Sequence, residues 1–201
     1  MLDIIHAAGW PIWPLIFASI IAVAIILERF WSLRVNIIAP ENLLEEARNM
    51  ITKDGVRKDA IQSLQNHSML GEIFASALNN YNNSSDIIKE AIEETGRAVN
   101  HKLERYLSTL ATIATVAPLL GLFGTIIGMV ELFSSFTSSG HDVAVFARGI
   151  SIALYNTAGG IVVAVPAMIA YRFFRSKIDN LIIEMEQQAI KLVEIINGKR
   201  K

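Results

Sequence analysis

Three long apolar stretches dominate the pattern of hydrophobic and polar positions along this chain. They cover residues 7–27, 106–130 and 149–171, and none of them contains Asp, Glu, Lys, Arg or His. An α-helix needs about 20 residues to cross about 30 Å of hydrocarbon, and each stretch is at least that long. Three buried soluble helices of this length would be unusual in a chain of 201 residues. The pattern therefore predicts an all-α, polytopic membrane protein with three spans.

Outside the apolar stretches, hydrophobic residues recur at helical spacing among charged ones. Three helices are predicted before the second span, over residues 40–53, 56–66 and 69–81, with turns supplied by Gly55, Gly71 and residues 82–85. From Ser85 the periodic pattern meets no strong stop before Pro118, which predicts one long helix that continues into the second span. A similar stripe follows the third span, so the two amphipathic extensions should pack together in a helical bundle beside the membrane.

Basic residues predict the orientation of the spans. Of the 18 Lys and Arg residues, none precedes Arg29 and none lies between Val130 and Ala147. By the positive-inside rule, the N-terminus and the loop over residues 134–142 face outward, while the bundle and the C-terminus face the cytoplasm. No basic residue precedes the first stretch and no convincing cleavage site follows it, which favours a retained helix over a signal peptide.

These expectations divide the chain into six segments. In chain order they are the outer N-terminus with the first span (1–32), a cytoplasmic helical segment (33–105), the second span (106–135), an outer loop (136–145), the third span (146–174) and a cytoplasmic C-terminal helix (175–201). The lipid bilayer is therefore the first predicted partner of this chain.

Small residues form a seam along the second span and another along the third. Such residues recur at a period of about 3.5, the pattern that lets membrane helices approach closely. The predicted helix-packing residues are Pro118, Gly121, Gly124, Gly128 and Gly160, and Gly124 and Gly128 also form a GxxxG pair.

Each seam contains one hydroxyl side chain, Thr125 in the second span and Thr157 in the third, and Asn156 adds an amide beside the latter. Two interpretations are open. Either the threonines bond carbonyls of their own helices inside ordinary packing surfaces, or the polar side chains line a polar pathway with the threonines facing a cavity. The amide favours the pathway, because an amide in hydrocarbon needs a partner.

Charged side chains lie only at the ends of the spans. Glu131 and Arg148 mark the outer edges of the second and third spans, where we expect an interfacial ion pair. Ion pathways usually contain an acid, a base or a histidine within the membrane. None lies inside these three spans, so any conducted proton needs a titrating group from elsewhere.

Other chemistry finds no support in the sequence. The four histidines show no metal-ligand spacing, and there is no P-loop, GxGxxG, HExxH or nucleophile elbow. The absence of cysteine excludes disulfides and thiol catalysis. We therefore expect no enzymatic activity, no catalytic residue, no metal or other cofactor, and no nucleic-acid partner.

Two runs of the sequence, APLLGLFGTIIGM (117–129) and GISIALYNTAGGIVVAVPAMIAY (149–171), resemble the signature spans of the MotA/TolQ/ExbB proton-channel family. The three-span layout is closest to the ExbB and TolQ branch. The resemblance implies an inner-membrane homo-oligomer, a pentamer, whose second and third spans line a central pore and whose N-terminus is periplasmic.

The same resemblance implies the partners. A single-span ExbD- or TolR-like protein brings one membrane aspartate into the pore, and a TonB- or TolA-like protein carries the resulting work across the periplasm. The pore threonines of the family match Thr125 and Thr157 here. The missing acid would then belong to the partner, and the hydroxyls would hydrogen-bond it.

One position departs from the pattern of the family branch. A glutamate usually stands five residues before the third-span threonine, and Ile152 takes its place here. Isoleucine neither titrates nor accepts a hydrogen bond, so no role of that glutamate carries over.

The expected function is proton-driven energisation of outer-membrane import. The alternatives are a Tol-type envelope-maintenance role, a motility stator subunit, or a non-conducting membrane scaffold.

Overall fold

The computed structural model describes residues 2–54, 57–138 and 143–198, and throughout these ranges the regular structure is helical, without a strand. The helices in chain order are α1 (Leu2–Ala8), α2 (Ile12–Ser32), α3 (Val35–Ile38), α4 (Leu43–Asn49), α5 (Lys58–His67), α6 (Met69–Asn79), α7 (Ser85–Leu103), α8 (Leu107–Ser138) and α9 (Val143–Ile196). A π-helical turn, Met50–Asp54, follows α4. Three helices, α2, α8 and α9, are long and apolar enough to cross a membrane. The predicted all-α, three-span class is confirmed.

The chain forms two compact units. The first, here called the span unit, comprises Met1–Glu28 and Tyr106–Phe173, and the second, here called the polar unit, comprises Arg29–Arg105 and Phe174–Lys201. The span unit buries mainly small side chains, with Leu15 packed against alanines of α8 and α9. Most of its large apolar side chains point outward, which is the arrangement expected of a surface solvated by lipid.

The polar unit has an ordinary apolar core. Its largest fully buried side chains come from several helices, and they include Phe74, Leu78, Ile88, Val99, Phe174, Ile178 and Leu192. Helix α7 and the C-terminal part of α9 are bridged near both ends. The side-chain amide of Asn197 donates to Ser85 Oγ at 3.3 Å, and Arg175 Nη1 lies 2.6 Å from Glu104 Oε1. The two amphipathic extensions thus contact each other, as their stripes predict.

The predicted uninterrupted helix from Ser85 to Pro118 is wrong. Helix α7 ends at Leu103 and α8 begins at Leu107, with Tyr106 between them in the left-handed region at φ 67°. Arg29 is 5% exposed, and its Nη1 donates to the carbonyl oxygen of Leu103 at 3.2 Å. The guanidinium therefore satisfies a carbonyl that the helix end leaves without an intrahelical partner. Pro118, by contrast, lies inside α8 without ending it.

The predicted turn at Gly71 is also wrong. Gly71 lies in the first turn of α6, and its N–H donates to the Oγ of the N-cap residue Ser68 at 3.0 Å. A Cβ on Gly71 would collide with the carbonyl oxygen of Leu64, so glycine serves a close approach between α5 and α6. The helix predicted over 40–53 is split into α4 and the π-helical turn. Gly55 lies outside the described residues.

Candidate functional site

Helices α8 and α9 approach each other at backbone distance along their small-residue faces. A Cβ added to Gly121 would lie 2.8 Å from the carbonyl oxygen of Asn156, and one added to Gly160 would lie 2.8 Å from that of Ala117. Nearer the charged ends of the helices, a Cβ on Gly128 would lie 2.6 Å from the carbonyl oxygen of Gly149. Any side chain larger than hydrogen at these glycines would push the two helices apart.

Gly124 makes room for a side chain rather than for backbone. Asn156 is fully buried, and a Cβ on Gly124 would overlap its Cβ and Cγ atoms. The amide of Asn156 donates twice through Nδ2, to the carbonyl oxygens of Ala8 and Ile152, each at 2.8 Å. Its Oδ1 has no hydrogen-bond partner among the described residues. The amide therefore lies inside the span unit of a single chain, and its predicted place in a proton pathway stays a prediction.

The two seam threonines bond their own helices. Thr125 Oγ1 donates to Leu122 O at 2.6 Å, and Thr157 Oγ1 donates to Ala153 O at 3.1 Å. Both residues are half-buried. Because a hydroxyl has one proton and two lone pairs, each oxygen can still accept a hydrogen bond from an incoming donor.

The threonines lie within about one helical turn of each other along the helix axes. A Cβ on Gly121 would lie 3.3 Å from the Cα of Thr157, so these two residues are at the same level. Thr125 follows Gly121 by four residues, which corresponds to about 6 Å along α8. The structure thus gives the two hydroxyls the stagger that their spacing from Glu131 and Arg148 predicts.

The charged residues at the ends of α8 and α9 lie together. Arg148 Nε is 3.4 Å from Glu131 Oε1, with 68% and 38% of the respective side chains exposed. Pro118, predicted as a seam residue, is exposed on α8, and the neighbouring Ala117 makes the contact with Gly160 instead. A packing role of Pro118 would have to involve another chain and stays a prediction.

Sequence reasoning missed the participation of the last residue of α1 and the two residues after it. Three consecutive residues, here called the anchor segment (residues 8–10), contact the α8–α9 pair. Ala8 accepts from Asn156, and the position of a Cβ on Gly9 is 3.8 Å from Ile152 Cδ1. The ring of Trp10 meets that of Phe123 edge-on, with centroids 6.2 Å apart. No local signal in the sequence marks these long-range contacts.

Ile152 owes its burial to this arrangement. It is 3% exposed and lies against Gly9, so the position where the resemblance places a glutamate is an apolar contact inside the chain. Among the described residues, no group of three His, Cys, Asp or Glu side chains could hold a metal ion.

Comparison with known proteins places Thr125, Ile152, Asn156 and Thr157 inside a matched region. A sequence model described as the MotA/TolQ/ExbB proton channel family matches residues 65–187, more than half of the chain. A Synechocystis protein named as biopolymer transport protein ExbB-like 1 is 28% identical over 176 residues, which cover 86% of this chain and 69% of that protein. The Vibrio cholerae biopolymer transport protein exbB1 is 23% identical over 185 residues, covering 89% of this chain and 80% of its own length. Both relatives bear the ExbB name, which supports the ExbB branch.

Proposed function

This chain belongs to the MotA/TolQ/ExbB proton channel family, and on that premise we propose that it is an ExbB-like subunit of a proton-motive-force-driven motor in the inner membrane. Its N-terminus faces the periplasm and its C-terminus the cytoplasm, in agreement with the distribution of basic residues. Five copies form a ring, and α8 and α9 of each copy face the central pore. The chain acts as a channel subunit and not as an enzyme.

One observation carries this proposal. The spans bring two acceptor hydroxyls, Thr125 and Thr157, to within about one turn of each other, yet their uncharged stretches contain no acid, base or histidine. Proton pathways across a membrane usually contain such a group. The titrating carboxyl therefore belongs to a second protein, a single-span partner of the ExbD or TolR type with an aspartate at membrane depth.

The threonines recognise that carboxyl in its neutral form. A protonated carboxyl donates one hydrogen bond, and each threonine oxygen has lone pairs left after its own donation to the helix backbone. When the acid loses its proton, either hydroxyl can rotate away from its backbone carbonyl and donate to the carboxylate, a stronger bond than the one it leaves. Protonation and deprotonation of the partner's acid thus change the hydrogen bonds made by the threonines of α8 and α9.

The proposed periplasmic partner rests on the likeness to the ExbB branch of the family. Both curated relatives are named as biopolymer transport proteins of the ExbB type, which supports energised import across the outer membrane through a TonB-type protein. A Tol-type role with a TolA-like client, or a stator role, is an alternative within the family.

A second candidate function, a non-conducting scaffold, is favoured by one observation. Both threonine hydroxyls already donate to carbonyls of their own helices, the arrangement expected when a threonine only packs in a membrane helix. In that case the glycine contacts would serve assembly alone.

Proton flux into liposomes tests the proposal. The homomer is reconstituted alone and together with a single-span partner of the ExbD or TolR type, and a trapped pH-sensitive dye reports flux under an imposed potential. We expect little flux from the homomer, clear flux from the complex, and loss of that flux when the partner's membrane Asp is replaced by Asn. Equal flux with and without the partner would contradict the assignment of the titrating group to the partner. A complex that conducts no protons would favour the non-conducting scaffold.

A further inference from the structure

A helix break lies within the membrane-spanning part of the span unit. Helix α1 ends at Ala8, Gly9 adopts φ 72°, and α2 begins at Ile12. The break contacts Asn156 of α9, which is eight residues from Arg148, and Phe123 of α8, which is eight residues from Glu131. Eight residues of helix correspond to about 12 Å. The break therefore lies about 12 Å deeper than the charged pair at the ends of α8 and α9.

At this depth, every backbone group of the break that lacks a hydrogen-bond partner destabilises the folded protein. The last carbonyls of a helix have no intrahelical donor, and in hydrocarbon there is no water to replace one. Two prolines near the break reduce the number of unpaired backbone groups. Pro11 and Pro14 stand where α2 begins and have no N–H to leave unpaired. The carbonyl of Ala8, however, still needs a donor.

Asn156 supplies that donor. Its Nδ2 lies 2.8 Å from Ala8 O and 2.8 Å from Ile152 O, so both amide protons are used and the orientation of the amide is determined by its two acceptors. Asn156 and Ala8 are both fully buried. Hydrocarbon side chains at this position would leave the Ala8 carbonyl buried without a partner, a loss that costs more than an ordinary exposed hydrogen bond.

The Asn156 side chain also lies close to the backbone beside both threonines. Asn156 lies against Gly124, where even a Cβ would overlap it. Thr125 and Thr157 are the chain neighbours of Gly124 and Asn156. The Asn156 side chain therefore packs between the two backbone segments that carry the hydroxyls.

We infer that Asn156 is a positioning residue: it anchors the break after α1 at membrane depth and, through Gly124, holds Thr125 and Thr157 in register. The anchoring part is independent of proton conduction. The register part rests on the proposed function, because it matters only if the threonines face a proton pathway.

Thiol reactivity tests the anchoring part, since the natural chain has no cysteine. A single Ala8→Cys substitution is labelled with a charged methanethiosulfonate in the full-length protein. With Asn156 present the thiol should react slowly, and Asn156→Leu should accelerate the reaction on the order of tenfold. His6→Cys, at an exposed position, should react at the same rate in both backgrounds. Asn180→Leu, an exposed asparagine on the same helix, should leave the rate at position 8 unchanged.

A pair of substitutions separates hydrogen bonding from space filling. Leucine has the branched shape of asparagine and a larger volume, so it still fills the site, whereas Asn156→Ala leaves a cavity. If Asn156 acts as a donor, both variants expose position 8, and if it only fills space, Leu protects position 8 and the inference is overturned. Should Ala8→Cys fail to assemble, a nitroxide at His6→Cys replaces it, and Asn156→Leu should then increase the mobility of that label. An unchanged spectrum would overturn the anchoring.

Proton flux with the single-span partner tests the register part. Asn156→Leu should lower flux on the order of tenfold, whereas Asn180→Leu should not change it. Normal flux in an Asn156→Leu complex with an exposed position 8 would overturn the register part and leave the anchoring intact. If the natural complex conducts no protons, the proposed function fails and the register part with it, and the thiol result still decides the anchoring.

Discussion

Gly121 of α8 and Gly160 of α9 face each other without a side chain between them. A Cβ on Gly121 would lie 3.2 Å from the Cα of Gly160, and one on Gly160 would lie 3.1 Å from the Cα of Gly121. Membrane helices associate through van der Waals packing and hydrogen bonds, because lipid chains are as apolar as their side chains. This contact therefore sets the distance between the two spans that carry Thr125 and Thr157.

Replacing Gly121 by leucine should separate α8 from α9. The new side chain would meet the carbonyl oxygen of Asn156, which is backbone and cannot rotate away. We expect a loss of stability of about 1–3 kcal/mol, measured by unfolding in detergent, together with a smaller oligomer fraction in native mass spectrometry. Gly96→Leu is the control, because a Cβ on Gly96 has no atom within 4 Å. An intact oligomer of normal stability in the Gly121 variant would contradict the packing role.

Valine at Thr125 or Thr157 should abolish most energised proton flux and leave assembly intact. Valine has nearly the shape of threonine but can neither donate nor accept a hydrogen bond, so the carboxyl of the proposed partner would lose a hydrogen-bonding group. A fall on the order of tenfold or more is expected from one lost hydrogen bond, measured in liposomes with the single-span partner. Thr112→Val is the matched control, since Thr112 is exposed and also bonds its own helix, at Ser108 O. Natural flux in both seam variants would refute the pathway.

Arg29 should matter far more for stability than its neighbour Arg34. Arg29 is buried and donates to the carbonyl of Leu103 at the end of α7, so Arg29→Met leaves that carbonyl without this donor. We expect a loss of about 2 kcal/mol. Arg34 is exposed above the ring of Trp31, 4.3 Å from its centroid, and Arg34→Met should cost about 0.5–1 kcal/mol. Chemical denaturation in detergent compares the two, and equal losses would argue against the capping role of Arg29.

The ion pair formed by Glu131 and Arg148 should contribute little to the stability of the protein. Their atoms are 3.4 Å apart, and both side chains are partly exposed. A double-mutant cycle with Glu131→Gln and Arg148→Gln should give a coupling energy below about 1 kcal/mol that falls further at high salt. A larger, salt-insensitive coupling would show that the pair is shielded from water in the assembled protein.

The spans were predictable because apolar length acts locally. About 20 residues without a charge favour a membrane helix whatever the rest of the chain does, and α2, α8 and α9 follow the three stretches. The break at Tyr106 was not predictable in the same way. A tyrosine in the left-handed region has no glycine or proline to announce it, and its helix end depends on a guanidinium more than seventy positions away.

The candidate site was predictable in part. Spacing and resemblance identified Thr125 and Thr157, and the spacing of small residues identified glycines that the structure places between α8 and α9. Their roles in conduction stay predictions. The anchor segment could not be found this way, because nothing near Ala8 in the chain indicates that its carbonyl meets an amide.

The sequence by itself determined that three uncharged stretches form membrane helices and that no acid, base or histidine of this chain lies within those stretches, since composition and length decide both. Only the tertiary structure decided that Asn156 meets the carbonyl of Ala8 at 2.8 Å across 148 positions of chain. A buried carbonyl takes whichever donor the fold brings to it, and no local pattern of residues records that choice.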